Sequence, residues 1–138
     1  MPYALQAPVH SELVIKKSRF IGCVETVSDR AAALSRVAQL RAEHPSATHV
    51  CWALMAGGHS AANDDGEPGG TAGRPILAAI EAQDCDQVVV LVIRWYGGIQ
   101  LGTGGLARAY GGSANKCLQS APRIELVARE QYRCHCLF

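Results

Sequence analysis

The sequence holds no apolar run long enough to cross a bilayer. Its longest, Val88 to Ile93, falls far short of the roughly 20 residues a membrane helix needs. Residues Met1 to Ser11 lack the basic start and apolar stretch of a signal peptide, so the expectation is a cytoplasmic protein. Charge of one sign is not in excess either. A formal net charge of +1 excludes wholesale nucleic-acid binding by bulk charge, yet leaves room for a local basic patch. None of the six cysteines forms a CxxC pair, and Cys23, Cys51 and Cys117 sit in strongly apolar segments, so they are expected to be reduced core residues. Cys134-His135-Cys136 offers three soft ligands where structural zinc sites usually take about four, so no metal is expected there. There is no Gly-Lys-Ser/Thr, hence no Walker A loop, and no internal repeat or low-complexity tract.

What is present suits a globular domain. The chain has 138 residues, 49% of them hydrophobic, enough to build a core without a metal or disulfide staple. Glu12–Ile15 and Phe20–Val27 predict two strands joined at Lys16-Lys17-Ser18. Ser28 is placed to cap a helix running to about Glu43, which His44-Pro45 ends. Thr48–Ala56 predicts a third strand, and Gly57–Gly73, polar and glycine-rich, a long loop. A helix follows from Pro75 to about Gln83. Gln87–Tyr96 is the clearest strand, because its uninterrupted apolar run requires burial on both faces. A glycine loop, Gly97–Gly105, then leads into a helix to about Gln119. Beyond Pro122, Ile124–Val127 and Tyr132–Phe138 read as strands, the second an apolar edge that would pack on its own domain or pair with a second copy.

Three motifs carry chemistry. The first, Arg94-Trp95-Tyr96-Gly97-Gly98-Ile99-Gln100-Leu101-Gly102-Thr103-Gly104-Gly105-Leu106, has five glycines in nine residues. Missing Cβ atoms let backbone approach a ligand, and the loop feeds a helix N-terminus that favours an anion. Thr103 can cap that helix or bond a phosphate oxygen, and Arg94 and Arg108 can add charge-assisted bonds. The plain alternative is a tight strand-to-helix turn whose glycines serve close packing. The second, Asn63-Asp64-Asp65-Gly66-Glu67-Pro68-Gly69-Gly70-Thr71-Ala72-Gly73-Arg74-Pro75, joins three carboxylates, a threonine and an arginine. Asp64, Asp65, Glu67 and Thr71 are candidates to hold Mg²⁺ with a phosphate or to form a docking surface; otherwise the segment is a solvated turn. The third, His49-Val50-Cys51, puts a histidine and a cysteine on one face of a strand, either as a nucleophile pair or as ordinary half-buried residues. Lys16, Lys17 and Arg19 make a small basic cluster at a turn.

Together, Asp64-Asp65-Gly66-Glu67-Pro68, Gly70-Thr71-Ala72-Gly73-Arg74-Pro75-Ile76-Leu77 and the Arg94–Leu106 motif resemble the signature of the IMPACT/YigZ family, as do Lys17-Ser18-Arg19-Phe20-Ile21 and Ala47-Thr48-His49. The resemblance covers about residues 10–121. It implies a fold like the second domain of ribosomal protein S5: an α+β two-layer sandwich with a four-stranded sheet and helices on one face. It also implies a core domain over residues 1–121, with 122–138 a linker and the truncated start of a second, ferredoxin-like domain.

For function, the resemblance implies a translation-associated binding protein that contacts RNA, the ribosome or a translation factor. The anion- or nucleic-acid-binding residues would be Arg74, Arg94, Gly97, Gly98, Gly102, Thr103, Gly104, Gly105 and Arg108. The alternative is an enzyme acting on a phosphate ligand with Mg²⁺ held by Asp64, Asp65 or Glu67. The absence of a clear nucleophile–base pair favours binding over catalysis, with no cofactor required. A homodimer through the C-terminal strand is the remaining expectation about partners.

Overall fold

The computed structural model of the chain describes residues 9–56, 58–120 and 133–134. The element order is β1 (Val9–Ile15), β2 (Ser18–Thr26), α1 (Arg30–Glu43), β3 (His49–Ala56), β4 (His59–Asn63), α2 (Gly73–Ala82), β5 (Cys85–Asp86), β6 (Val88–Trp95), α3 (Gly102–Ser120) and β7 (Arg133–Cys134). Five strands form one antiparallel sheet in the order β1-β2-β6-β3-β4. Cys85 and Asp86 pair separately with Cys134 and Arg133.

The class is α+β, as expected, but the layering differs in two respects. The sheet has five strands rather than four, because His59–Asn63 folds back onto β3 instead of continuing a loop. Helices also cover both faces rather than one. On β6, Val88, Val90 and Val92 join the core beneath α2 and α3, with Ile76, Ile80, Ala109, Tyr110 and Leu118. Val89, Leu91 and Ile93 alternate into the opposite core, with Val37 and Leu40 of α1 and Trp52 and Leu54 of β3. Burying each such large side chain contributes roughly 1.5–3 kcal/mol, so the period-2 alternation of the central strand fixes the helix layers on either side.

Local chemistry explains the element ends. Asp29, not Ser28, caps α1: its side chain accepts from the Ala32 amide at 2.8 Å. His44 ends that helix, its own amide bonding Leu40 O. The β1–β2 hairpin pairs Ile15 with Ser18, leaving a two-residue turn in which Lys16 (φ 48°) and Lys17 (φ 68°) are both left-handed. Positive φ at both central positions defines a type I′ turn, where Asn-Gly is the favoured pair. For other L-residues this backbone costs about 1–2 kcal/mol each. The predicted strand 124–127, and 132–138 apart from Arg133–Cys134, lie outside the described residues, as does the expected packing or dimerisation of that tail.

Candidate functional site

Arg94 extends the Val88-Val90-Val92 stripe by one more step and therefore faces α2 and α3 from the end of β6. It is only 5% exposed. Its Nη1 donates to Glu67 Oε2 at 2.7 Å, and its Nη2 to Ser18 Oγ at 3.3 Å. The guanidinium also lies 5.6 Å from the Phe20 ring centroid and 5.3 Å from that of Tyr96. The Tyr110 hydroxyl, from α3, donates to the same Glu67 oxygen. Burial, first of all, pushes the Tyr110 phenol well above its usual value, so it stays protonated as a donor. Glu67 is thus a buried hub that joins the glycine-rich second motif to β6 and α3. His49 completes it, with Nε2 3.5 Å from Glu67 Oε1.

The other carboxylates are fasteners. Asp65 accepts from the Val50 amide through Oδ2 and from Arg41 Nη2 through Oδ1, both at 2.7 Å. Its backbone carbonyl lies 2.8 Å from His49 Nδ1, an arrangement that places the ring hydrogen on that nitrogen. Cys51 Sγ donates to Asp64 O at 3.1 Å. Asp64 Oδ1 accepts from the Ala72 and Gly73 amides, and Oδ2 from Gly70. Asp64 therefore caps α2 from eight or nine residues away, where Ala72 has no side chain able to do so. Burial alone would raise its carboxyl pKa, but those three amides and the nearby Arg74 charge hold it below the usual value. Thr71 Oγ1 donates back to Pro68 O at 2.6 Å. Among the described residues, no group of three His, Cys, Asp or Glu side chains is disposed to hold a metal ion.

His49 and Cys51 do not form a nucleophile pair. Both serve to hold the Asp64–Asp65 turn against β3. Burial, chiefly, pushes the Cys51 thiol up to about 12, so thiolate is scarce at neutral pH. Cys23, Cys51 and Cys117 are buried thiols, while Cys85 is disulfide-bonded.

The loop between β6 and α3 is shorter than the sequence suggested. Because α3 begins at Gly102, the residues Gly102, Thr103, Gly104 and Gly105 form its first turn, and Thr103 does not cap it. Gly97 is explained by packing: a Cβ there would lie 1.9 Å from Lys17 O. Its amide donates to Ser18 Oγ at 3.2 Å, and the neighbouring Tyr96 amide donates to Thr48 Oγ1 at 2.9 Å. The loop is thereby tied both to the Lys16–Lys17 hairpin and to the start of β3. Gly102 has φ +78°, a backbone that glycine adopts without strain.

Beside this loop lies an open cavity of about 450 Å³. Its lining draws on all three motifs: His49 and Thr48, then Glu67 and Pro68, then Arg94, Tyr96 and Gln100 through Thr103, with Leu106. The two glycine-rich segments thus meet at one end of the sheet. Gly98, Gly104, Arg74 and Arg108 are exposed and do not line it. A Cβ on Gly104 would lie 3.5 Å from the Arg108 guanidinium, so Arg108 stands beside the first turn of α3. Sequence reasoning overlooked Ser18 and Tyr110. The signal for Tyr110 was a phenol on an otherwise small, apolar helix face, where a buried hydroxyl needs a partner.

Comparison with known proteins identifies a family for the chain. Residues 16–118 match the family "Impact N-terminal domain". The chain is 42% identical over 135 residues to "IMPACT family member YigZ" of Escherichia coli (strain K12), covering 94% of this chain and 66% of that protein. It is 41% identical over 117 residues to "IMPACT family member YvyE" of Bacillus subtilis (strain 168), covering 83% and 54%. The chain therefore spans less than two thirds of the length of these relatives. A solved structure described as "Crystal structure of an hypothetical protein" superposes with a TM-score of 0.83 at 40% identity, covering 94% of this chain and 62% of the other. The two-domain translational regulator Yih1 shares the fold at a TM-score of 0.53 and 22% identity, covering 86% of this chain and 49% of that one.

Proposed function

The chain belongs to the Impact N-terminal domain family, and on that premise we propose that it is a translation-associated binding protein. Its contact with RNA, the ribosome or a translation factor would be made at the end of the sheet where the cavity opens. The observation that carries this reading is the state of the side chains there. Glu67 is bonded by Arg94 and Tyr110, with His49 Nε2 3.5 Å from its other oxygen, and the oxygens of Asp64 and Asp65 are taken by amides and by Arg41. Groups committed in this way shape a surface and leave no activated nucleophile, which suits recognition better than the alternative of phosphate chemistry with Mg²⁺. Lys16, Lys17 and Arg108 surround the same end and supply charge for a polyanionic partner. The Yih1 neighbour, described as a translational regulator, supports the direction of the proposal.

Sedimentation of the purified chain with ribosomes and ribosomal subunits through a sucrose gradient tests it. The chain is expected in the ribosomal fractions at low salt, and a Tyr96→Ala/Gln100→Ala variant is expected to leave them. A parent chain that stays at the top of the gradient, and that captures neither RNA nor translation factors from a cell extract, would rule the reading out.

A further inference from the structure

Among the described residues, Lys16 and Lys17 are two adjacent basic side chains that the Glu67 hub does not absorb. Arg19, Arg36, Arg41 and Arg94 each pair with a carboxylate. Among the described residues, no hydrogen bond or ion pair holds the side chain of Lys16 or Lys17. Both nevertheless occupy left-handed backbone in a type I′ turn, where Asn-Gly would sit without strain. Stability gives no reason for two lysines here, whereas a charge required in solution does.

Their position supplies that requirement. Lys17 O packs against Gly97, and Ser18 Oγ bonds the Gly97 amide, so the turn that carries the two lysines stands beside the exposed loop that follows β6. The residue next along, Tyr96, is 46% exposed although the Arg94 guanidinium supports its ring, and it lines the cavity. Ile99, in the same loop, is 41% exposed. A turn bearing two exposed lysines, an exposed aromatic ring and a cavity lined by Tyr96, Leu101, Leu106 and Pro68 therefore follow one another along this end of the sheet. Thr48, His49, Gln100 and Thr103 add hydrogen-bonding groups to that lining.

Resting on the translation-associated reading above, we infer that this surface takes single-stranded RNA. One unstacked base enters the cavity against Tyr96, and the flanking phosphates lie on Lys16 and Lys17. The combination of a planar ring with an adjacent negative charge recurs in every nucleotide of a single strand. A duplex keeps its bases inside the stack, and an acidic peptide supplies charge without the ring.

Fluorescence anisotropy with a labelled single-stranded 12-mer RNA, its duplex and the matching single-stranded DNA provides the test, with two variants. Lys16→Asn/Lys17→Gly installs the turn's preferred residues, so it should melt at or above the parent's temperature while binding RNA more weakly. Removing two phosphate contacts should flatten the plot of log K against log salt by about 1.4, at ~0.7 per contact for a single strand. Tyr96→Ala should weaken binding by roughly 5- to 150-fold, the range for loss of one stacked base, and leave the salt slope unchanged. Equal affinity for the duplex overturns the inference, as does tighter binding of the DNA than of the RNA, or a lysine variant with the parent's affinity and slope. If the chain sediments with ribosomes but binds no single-stranded RNA, the inference fails and the broader reading stands. If it does neither, and captures no translation factor from a cell extract, both fail.

Discussion

Arg94 Nη1 and Glu67 Oε2 lie 2.7 Å apart in a nearly water-free setting, with residue exposures of 5% and 7%. This contact joins the strand-end motif to the acidic glycine-rich motif, and Tyr110 and His49 close around it. Removing one member leaves the other charge buried without its counterpart. Arg94→Met alone should therefore cost about 3–5 kcal/mol in urea denaturation, whereas Arg94→Met/Glu67→Leu should recover most of that loss. A single variant as stable as the parent would show that the pair does not organise this end of the sheet.

Gly97 offers a steric test of the same region. A methyl group there would meet backbone, Lys17 O at 1.9 Å and Lys17 C at 2.1 Å, which cannot swing aside as a flexible side chain can. Gly97→Ala should destabilise by roughly 1–3 kcal/mol and separate the loop from the hairpin. Gly69→Ala, where nothing lies within 4 Å of the added carbon, is the control and should stay close to the parent in thermal denaturation.

The sequence made the central strand and the motifs legible, but not how they are used. The apolar run Val88–Ile93 announced burial on both faces, which already demands a layer on each side; Val37 and Leu40 of α1 supply the second. A sandwich with helices on one face was inconsistent with that run. Strand His59–Asn63 could not be read, because Ser60, Ala61, Ala62 and Asn63 have little intrinsic strand preference and are held by pairing with β3. The carboxylates of the second motif suggested ligands because capping patterns are local, whereas Asp64 reaches amides as far away as Gly73. The meeting of three motifs at one cavity depends on strand order, which places β3 beside β6.

Among the described residues, the buried thiols Cys23, Cys51 and Cys117 should be inert while the protein is folded. Burial pushes Cys23, Cys51 and Cys117 up to about 12 each. At pH 8, alkylation by iodoacetamide followed by intact-mass analysis should leave these thiols unmodified in buffer and modify all three in denaturant. Rapid native alkylation at Cys51 would show that the turn over β3 opens readily.

Asp64 makes stability depend on pH in a definite direction. Its folded-state pKa lies below the ordinary carboxylate value, because the Gly70, Gly73 and Ala72 amides favour the charged form more than burial disfavours it. The folded protein therefore binds the proton less readily than the unfolded chain. The resulting stabilisation is fully present above the unfolded value of about 3.9 and is lost as pH falls through the lower folded value. Asp64→Asn retains one acceptor oxygen but neither the charge nor the second acceptor, so it should melt at a lower temperature than the parent at pH 7. The gap should stay constant down to about pH 5 and narrow below about pH 4. Asp64→Ala, which removes the cap altogether, should cost about 1 kcal/mol at pH 7, with fraying at the start of α2 visible as faster amide exchange at Gly73. A gap between parent and Asp64→Asn that widens as pH falls would reverse the sign of the linkage and exclude the charged cap.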